Sequence, residues 1–200
     1  LGNVEGQNIY RIWYDKPASY WEEALPVGNG RIAAMVFGDP QLEQIQLNEE
    51  TVSAGSPYQN YNEEAKTALP EMRRLIFEGK YEEAQNMAAT KILSQVGNEM
   101  PYQTVGRLNI RYQDHKKVNN YYRDLDISNA VAVTRYEVDG VEFTEETFAS
   151  FTDQLVIRHI KASKPGTINC ELFFNTPMRD PKRSIYGKKG LRLEGITHGS

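Results

Sequence analysis

The chain has 200 residues, with 23 Lys and Arg against 27 Asp and Glu and a formal net charge of −4, long enough for one sizeable domain with its own core. Its basic residues are scattered apart from Lys182–Arg183 and Lys188–Lys189, which excludes the concentrated footprint of a nucleic-acid binder. No apolar run approaches the roughly 20 residues of a membrane-spanning helix, and the lone Cys170 excludes an internal disulfide and a CxxC metal motif.

The chain starts at Leu1 without a methionine or a signal-peptide pattern, so a processed or trimmed amino terminus is expected. From Ile9 to Asn48, short apolar runs are broken by Pro17, Pro26, Gly28, Gly30, Gly38 and Pro40, the pattern of strands joined by tight turns. Within it, "VGNGRIAAMVFG" could suggest a phosphate-cradling loop. A dinucleotide fingerprint, however, opens a helix and has a third glycine at fixed spacing. Here position 33 is Ala33, the run Ile32–Phe37 has the length of a strand, and no Walker-type lysine follows. The reading is a turn at Gly28 and Gly30, with a buried strand beginning at Arg31.

From Asn62 to about Ser94 the period becomes helical. Asn62 is the expected N-cap, Glu63 and Glu64 suit the first turn, and Ala65, Leu69, Met72 and Ile76 recur on one face up to Gly79. Pro70 inside that pattern predicts a kink or break near Leu69. A second amphipathic segment places Tyr81, Ala84, Ala88 and Ile92 together.

After Tyr102 the period is two. Asp139–Gly140 in "RYEVDGVEFTEETFAS" predicts a two-residue hairpin, and Lys164–Pro165–Gly166 separates two further strands. The fold class expected is mainly β: an antiparallel β-sandwich with a short helical insertion at about 62–94.

No catalytic constellation emerges from the residues themselves. His115, His159 and His198 are too dispersed for a metal site and read as structural or solvated, and no GxSxG elbow is present. The pairs Glu22–Glu23, Glu49–Glu50 and Glu145–Glu146 read as solvated charge, because adjacent strand residues point to opposite faces. Cys170 in "INCELFF" reads as a packed core thiol. The aromatics Tyr10, Trp13, Tyr14, Tyr20 and Trp21 could stack on sugars or fill a core, and both readings stay open.

Joined in order, the motifs carry more. "WYDKPASYWEEALPVGNGRIAAMVFG", "EQIQLNEETVSAGSP", "YQTVGRLNI" and "NNYYRDLDISNAVAVTRYEVDGVEFTEETFASFTDQLVIRHIKASKPG" together resemble the amino-terminal domain of glycoside hydrolase family 95. Members are chiefly α-L-fucosidases, with some α-L-galactosidases. One departure is "EETVSAG", where the family usually has an aromatic-containing "TLWSG".

The resemblance implies a super-sandwich followed by a linker, an (α/α)6 barrel and a carboxy-terminal β domain. It implies inverting hydrolysis with no metal or organic cofactor, every catalytic residue lying in the barrel and none in these residues. The expected partners are that barrel, in the same polypeptide, and a fucosylated or related oligosaccharide. Asn48, Glu49, Thr51 and Gln103 are the candidate rim or interface residues, against a plainer role in turns and caps. "LEGITHGS" resembles a strand that the family's sandwich continues past, so the chain is expected to stop before the last strands, to leave a sheet edge free and to self-associate. Secretion or periplasmic residence is implied on the same basis. Two other readings remain: an autonomous carbohydrate-binding module presenting Trp13, Tyr20 and Trp21, and the matching domain of a related (α/α)6 enzyme acting on another sugar.

Overall fold

The period-two segments become two antiparallel sheets in the computed structural model, which describes residues 10–54, 59–94 and 101–197. The first sheet has the order β1 (Arg11–Tyr14), β6 (Asn119–Asp126), β7 (Val131–Val138), β8 (Val141–Ser150) and β9 (Leu155–Ala162). The second runs β10 (Cys170–Asn175), β5 (Gly106–Tyr112), β4 (Leu42–Glu49), β3 (Ile32–Val36) and β2 (Leu25–Gly28). A separate hairpin pairs β11 (Arg179–Tyr186) with β12 (Gly190–Ile196). The expected β-sandwich is the observed architecture. Among the described residues, 10–52 and 103–197 form one compact unit, and those between Ser53 and Tyr102 form another.

Alternation decides which side chains meet between the sheets. Leu25, Val27, Ala34, Val36 and Ile45 of the second sheet close on Leu125 and Ala132 of the first, all of them buried. Burying each of the larger aliphatic side chains contributes about 1.5–3 kcal/mol, which makes this layer the main source of cohesion. A second cluster, Tyr136, Val138 and Phe143, closes one end. The run Ile32–Val36 does not sink entirely, as its continuous apolarity suggested. Ala34 and Val36 are buried, whereas Ala33 is exposed, because the sandwich covers only one face of β3. Pro26 is tolerated because β2 is an edge strand, where a missing N–H leaves no ladder partner deprived.

Two turns show why their residues are there. Asp139 and Gly140 have φ of +49° and +76°, the left-handed pair that a tight hairpin between β7 and β8 requires. Gly38, at φ +75°, follows β3 where an added Cβ would lie 2.8 Å from Tyr121 Oη and 2.9 Å from Arg123 Cδ. Any side chain there would be both strained and obstructed.

The helical unit holds α1 (Ala65–Phe77), α2 (Tyr81–Met87) and a π-helical turn, Ala88–Ile92. Buried Asn62 opens it. Its Oδ1 accepts from Glu64 N at 3.0 Å, and its Nδ2 donates to Thr90 O and Leu93 O at 3.2 and 3.4 Å. Two bonds end α1: Gly79 N to Ile76 O and Lys80 N to Leu75 O, at 3.1 and 2.9 Å, the C-terminal motif foreseen at that glycine. Of the kink or break expected near Leu69, no break occurs: α1 runs through Pro70, and the one carbonyl it deprives, on Lys66, belongs to an exposed turn that water can reach. Ala68 and Leu75 are buried and Ala65, Leu69 and Met72 half-buried, whereas Ile76, expected on the same face, is 42% exposed.

Candidate functional site

β4 ends in the segment that carries three of the four candidate residues. Asn48 pairs with Ala33 and Glu49 with Ile32 across the β3–β4 ladder, and Thr51 follows in the turn. Asn48 Oδ1 accepts from Glu49 N at 2.9 Å. Glu49 Oε2 accepts from Thr51 Oγ1 at 2.6 Å and from Thr51 N at 2.9 Å, while its Oε1 takes the Nε–H of Arg31 at 3.1 Å. The Thr51 hydroxyl, then the Thr51 amide, then Arg31 hold the Glu49 carboxyl below the usual carboxylate range. Gln103 joins this neighbourhood through its N–H, which donates to Val52 O at 2.9 Å. All four candidates therefore converge on one end of the second sheet, where their recorded bonds serve the local turn.

Beside them, the "GNG" turn does a different job from any ligand loop. Asn29 Oδ1 accepts from Arg31 N and Ile32 N, at 3.0 and 2.9 Å, and shapes the β2–β3 connection. Its Nδ2 donates to Ser150 O, at the end of β8, at 2.8 Å. The Asn29 amide thus ties one sheet to the other.

Charge lies inside the sandwich as well. Glu43, with no exposed surface, accepts from Phe37 N and Gly38 N through Oε1 and from Arg158 Nη2 at 2.6 Å through Oε2. The same Nη2 meets Glu145 Oε2, and Arg158 Nη1 donates to Thr147 Oγ1 at 2.8 Å. Tyr136 Oη donates to Glu145 Oε1 at 2.7 Å and lies 3.2 Å from His115 Nδ1, itself 3.1 Å from Pro40 O. Burial pushes the Glu43 carboxyl up against the pull of Arg158, and burial holds the His115 imidazole down. Reading Glu145 as solvated charge is corrected here. It faces inward opposite Thr134 and is buried, while its neighbour Glu146 faces outward to His159 and Lys161. His115 is structural, packed 4.3 Å from the Tyr112 ring. Cys170 packs at the edge of the core, and burial raises its thiol pKa.

The amino-terminal aromatics divide into two groups. Tyr14 lies under the fully buried Arg123, whose guanidinium sits 4.0 Å from the ring centre. Arg123 also donates to Lys16 O and Glu23 O at 2.8 and 2.7 Å, so it pins the whole "YDKPASYWEE" segment. Trp13 is 60% exposed and stacks with Tyr122 at 6.2 Å; Tyr10, Tyr20 and Trp21 are also exposed. A hollow of about 370 Å³ lies at the Gly106 end of β5, lined by Gln46, Thr104, Arg107, Asn175, Thr176 and Pro177. Its amide, hydroxyl and guanidinium groups are those that bond sugar hydroxyls. Among the described residues no group of three or more His, Cys, Asp or Glu is placed to hold a metal ion, and no helix is long and apolar enough to cross a membrane.

Reasoning from sequence missed Glu43, Arg158 and the bridging role of Asn29. The signal was plain for Arg158, which occupies an inward position between Val156 and Ile160, and weaker for Glu43, which shares its face with Ile45 on one side but Gln41 on the other.

Comparison with known proteins matches residues 12–199 to the model of the glycosyl hydrolase family 65 N-terminal domain. The chain is 37% identical over 181 residues to alpha-L-fucosidase 2 of Arabidopsis thaliana, covering 88% of this chain and 21% of that protein. It is 26% identical over 162 residues to a probable alpha-fucosidase A of Aspergillus niger, covering 76% of this chain and 20% of the relative. A probable alpha-fucosidase A of Aspergillus oryzae is 24% identical over 199 residues, with 93% and 26% covered. The chain therefore spans about a fifth to a quarter of the length of these curated relatives.

Proposed function

The chain belongs to the glycosyl hydrolase family 65 N-terminal domain family, and from that premise we propose that it is the non-catalytic amino-terminal domain of a larger α-L-fucosidase-type exo-glycoside hydrolase. The observation that carries this reading is the 37% identity to a plant α-L-fucosidase across 88% of the chain but only 21% of the relative. Assignment to family 95 is supported by the ordered run of motifs from Trp13 to Gly166. In this reading residues 1–200 act as one amino-terminal domain with the helical unit inserted between Val52 and Gln103. The domain packs on an (α/α)6 catalytic barrel of the same polypeptide, and the end of β4 with Gln103 shapes the rim of its sugar pocket. Residence outside the cytosol, secreted or periplasmic, belongs to the same proposal.

The division of labour has a chemical basis. Inverting hydrolysis needs two carboxyl groups about 6.5–9.5 Å apart on opposite sides of the scissile bond. Glu43 and Glu145 instead share the guanidinium of Arg158 inside the sandwich, so their charge stabilises packing and is closed to a sugar. The parent is expected to hydrolyse an aryl α-L-fucoside through groups outside these residues.

A second reading rests on one observation. Trp13, Tyr20 and Trp21 remain exposed, as the platform of a carbohydrate-binding module would. Calorimetry of the 200-residue chain with fucosylated oligosaccharides separates the two. Silence fits a scaffold domain, and millimolar or tighter binding fits a module.

A further inference from the structure

Strand parity gathers one cluster on the outer face of the first sheet, turned away from the core. Trp13 of β1 lies opposite Asp124 of β6, Arg11 opposite Asp126, and Tyr122 opposite Arg135 of β7. Residues directly opposite in an antiparallel ladder share a face, as do residues two apart along a strand, so these six stand together. Leu125 and Ala132, one residue out of step, go to the core instead.

The cluster holds an aromatic surface beside unmet polar atoms. Trp13 is exposed, and the Tyr122 ring lies 6.2 Å away at 19° to it, which backs one side of the indole and leaves the other to solvent. Asp124 Oδ2 is shared by Arg11 Nη1 at 3.5 Å and Arg135 Nη1 at 3.4 Å, and Arg11 Nη2 reaches Asp126 Oδ2 at 3.4 Å. Asp124 Oδ1 and Arg11 Nε are both buried and have no hydrogen-bond partner. Asp124 is fully buried although it faces outward, so its cover is the side chains around it, and the two arginines that pair with it are themselves partly exposed.

These features narrow the ligand. Two arginines and two aspartates cancel, so the cluster selects neither an anion nor a cation. One acceptor and one donor left unmet cost free energy that a ligand offering both functions restores, and an apolar ligand offers neither. A hydroxyl both donates and accepts. A pyranose ring adds a face of C–H groups for the electron-rich face of the indole.

We propose that this outward cluster is a saccharide-binding site, in which a neutral pyranose of galacto configuration stacks on Trp13 and its hydroxyls bond the guanidinium groups that Asp124 holds in place. In that configuration, common to galactose and its 6-deoxy form fucose, the hydrogens on C3, C4 and C5 lie on one side of the ring and make an apolar patch the size of one indole. The proposal deepens the second reading above, on which it rests, and moves the platform from Tyr20 and Trp21 to Tyr122. It leaves the first reading in place, since Asn48 lies opposite exposed Ala33 on the outer face of the other sheet.

Calorimetric titration with lactose, which has a terminal galactose and no fucosyl bond to cleave, tests the site on the 200-residue chain and on the full-length parent. Dissociation constants on the order of 1 mM are expected for both. Trp13→Ala should weaken binding about tenfold and Arg135→Met about fivefold, with circular dichroism unchanged. No heat with either protein at lactose up to about 50 mM would overturn the site. So would binding by the 200-residue chain that the parent lacks, because the rest of the polypeptide would then cover Trp13. A parallel titration of the 200-residue chain with a fucosylated oligosaccharide keeps the two readings apart. Binding there that survives Trp13→Ala but falls with Trp21→Ala removes this site and keeps the module, whereas silence with both sugars removes both.

Discussion

Asn29 and Ser150 are 121 residues apart in the chain, yet the Asn29 Nδ2–H meets the Ser150 carbonyl at 2.8 Å and joins the β2–β3 turn of one sheet to the end of β8 in the other. Together with the two turn bonds to Asn29 Oδ1, this makes one side chain both a turn former and a brace between sheets.

Replacing Asn29 by Ala is therefore expected to cost about 2 kcal/mol in urea unfolding, with an unchanged m-value. Asn29→Asp keeps the turn acceptors and loses the donor to Ser150, so it should fall between the two. An Asn29→Ala loss below about 0.5 kcal/mol would remove the brace from the account.

Arg158 is the shared counter-ion of Glu43 and Glu145, and all three are buried. Arg158→Met strands two carboxylates and should destabilise the fold by about 3–5 kcal/mol. Adding Glu43→Gln and Glu145→Gln to that variant should recover a large part of the loss. Strict additivity of the three changes would contradict a shared network.

His115 sets a pH dependence whose sign follows from burial. The folded imidazole is held below its ordinary value, while the unfolded one titrates near about 6.5. The neutral ring's contribution is thus fully present above that value and drains away as pH falls through the folded pKa. Wild-type stability should drop more between pH 7 and pH 5 than that of His115→Gln, with Glu43, Glu145 and Asp114 common to both. Parallel pH profiles would show that His115 does not titrate differently on folding.

The proposed rim makes a kinetic claim about the parent. Asn48→Ala and Gln103→Ala should each raise KM about fivefold, the equivalent of one ordinary hydrogen bond, with kcat nearly unchanged. Unchanged KM in both variants, with the fold intact, would confine these residues to turns.

How much of this was legible depended on whether the physics was local. Asp139–Gly140 announced its hairpin because the left-handed pair is a property of two residues. Gly79 announced the end of α1 for the same reason. Pro70 was only partly legible, because whether it breaks a helix depends on whether water can reach one carbonyl, which no pattern records. Glu145–Glu146 was half legible: parity correctly sent the two carboxylates to opposite faces, but only the partner strand shows that the inward one meets Arg158. The rim residues were legible as a neighbourhood, since Asn48, Glu49 and Thr51 are adjacent in sequence. That Gln103 would join them required the return of the chain at Val52.

The central claim is that these residues serve a fucosidase without performing its chemistry. Hydrolysis of an aryl α-L-fucoside, assayed with the 200-residue chain and with the full-length parent at equal concentration, tests it most directly. The account predicts fucose release by the parent and none by the 200-residue chain. Turnover by the 200 residues alone would contradict it.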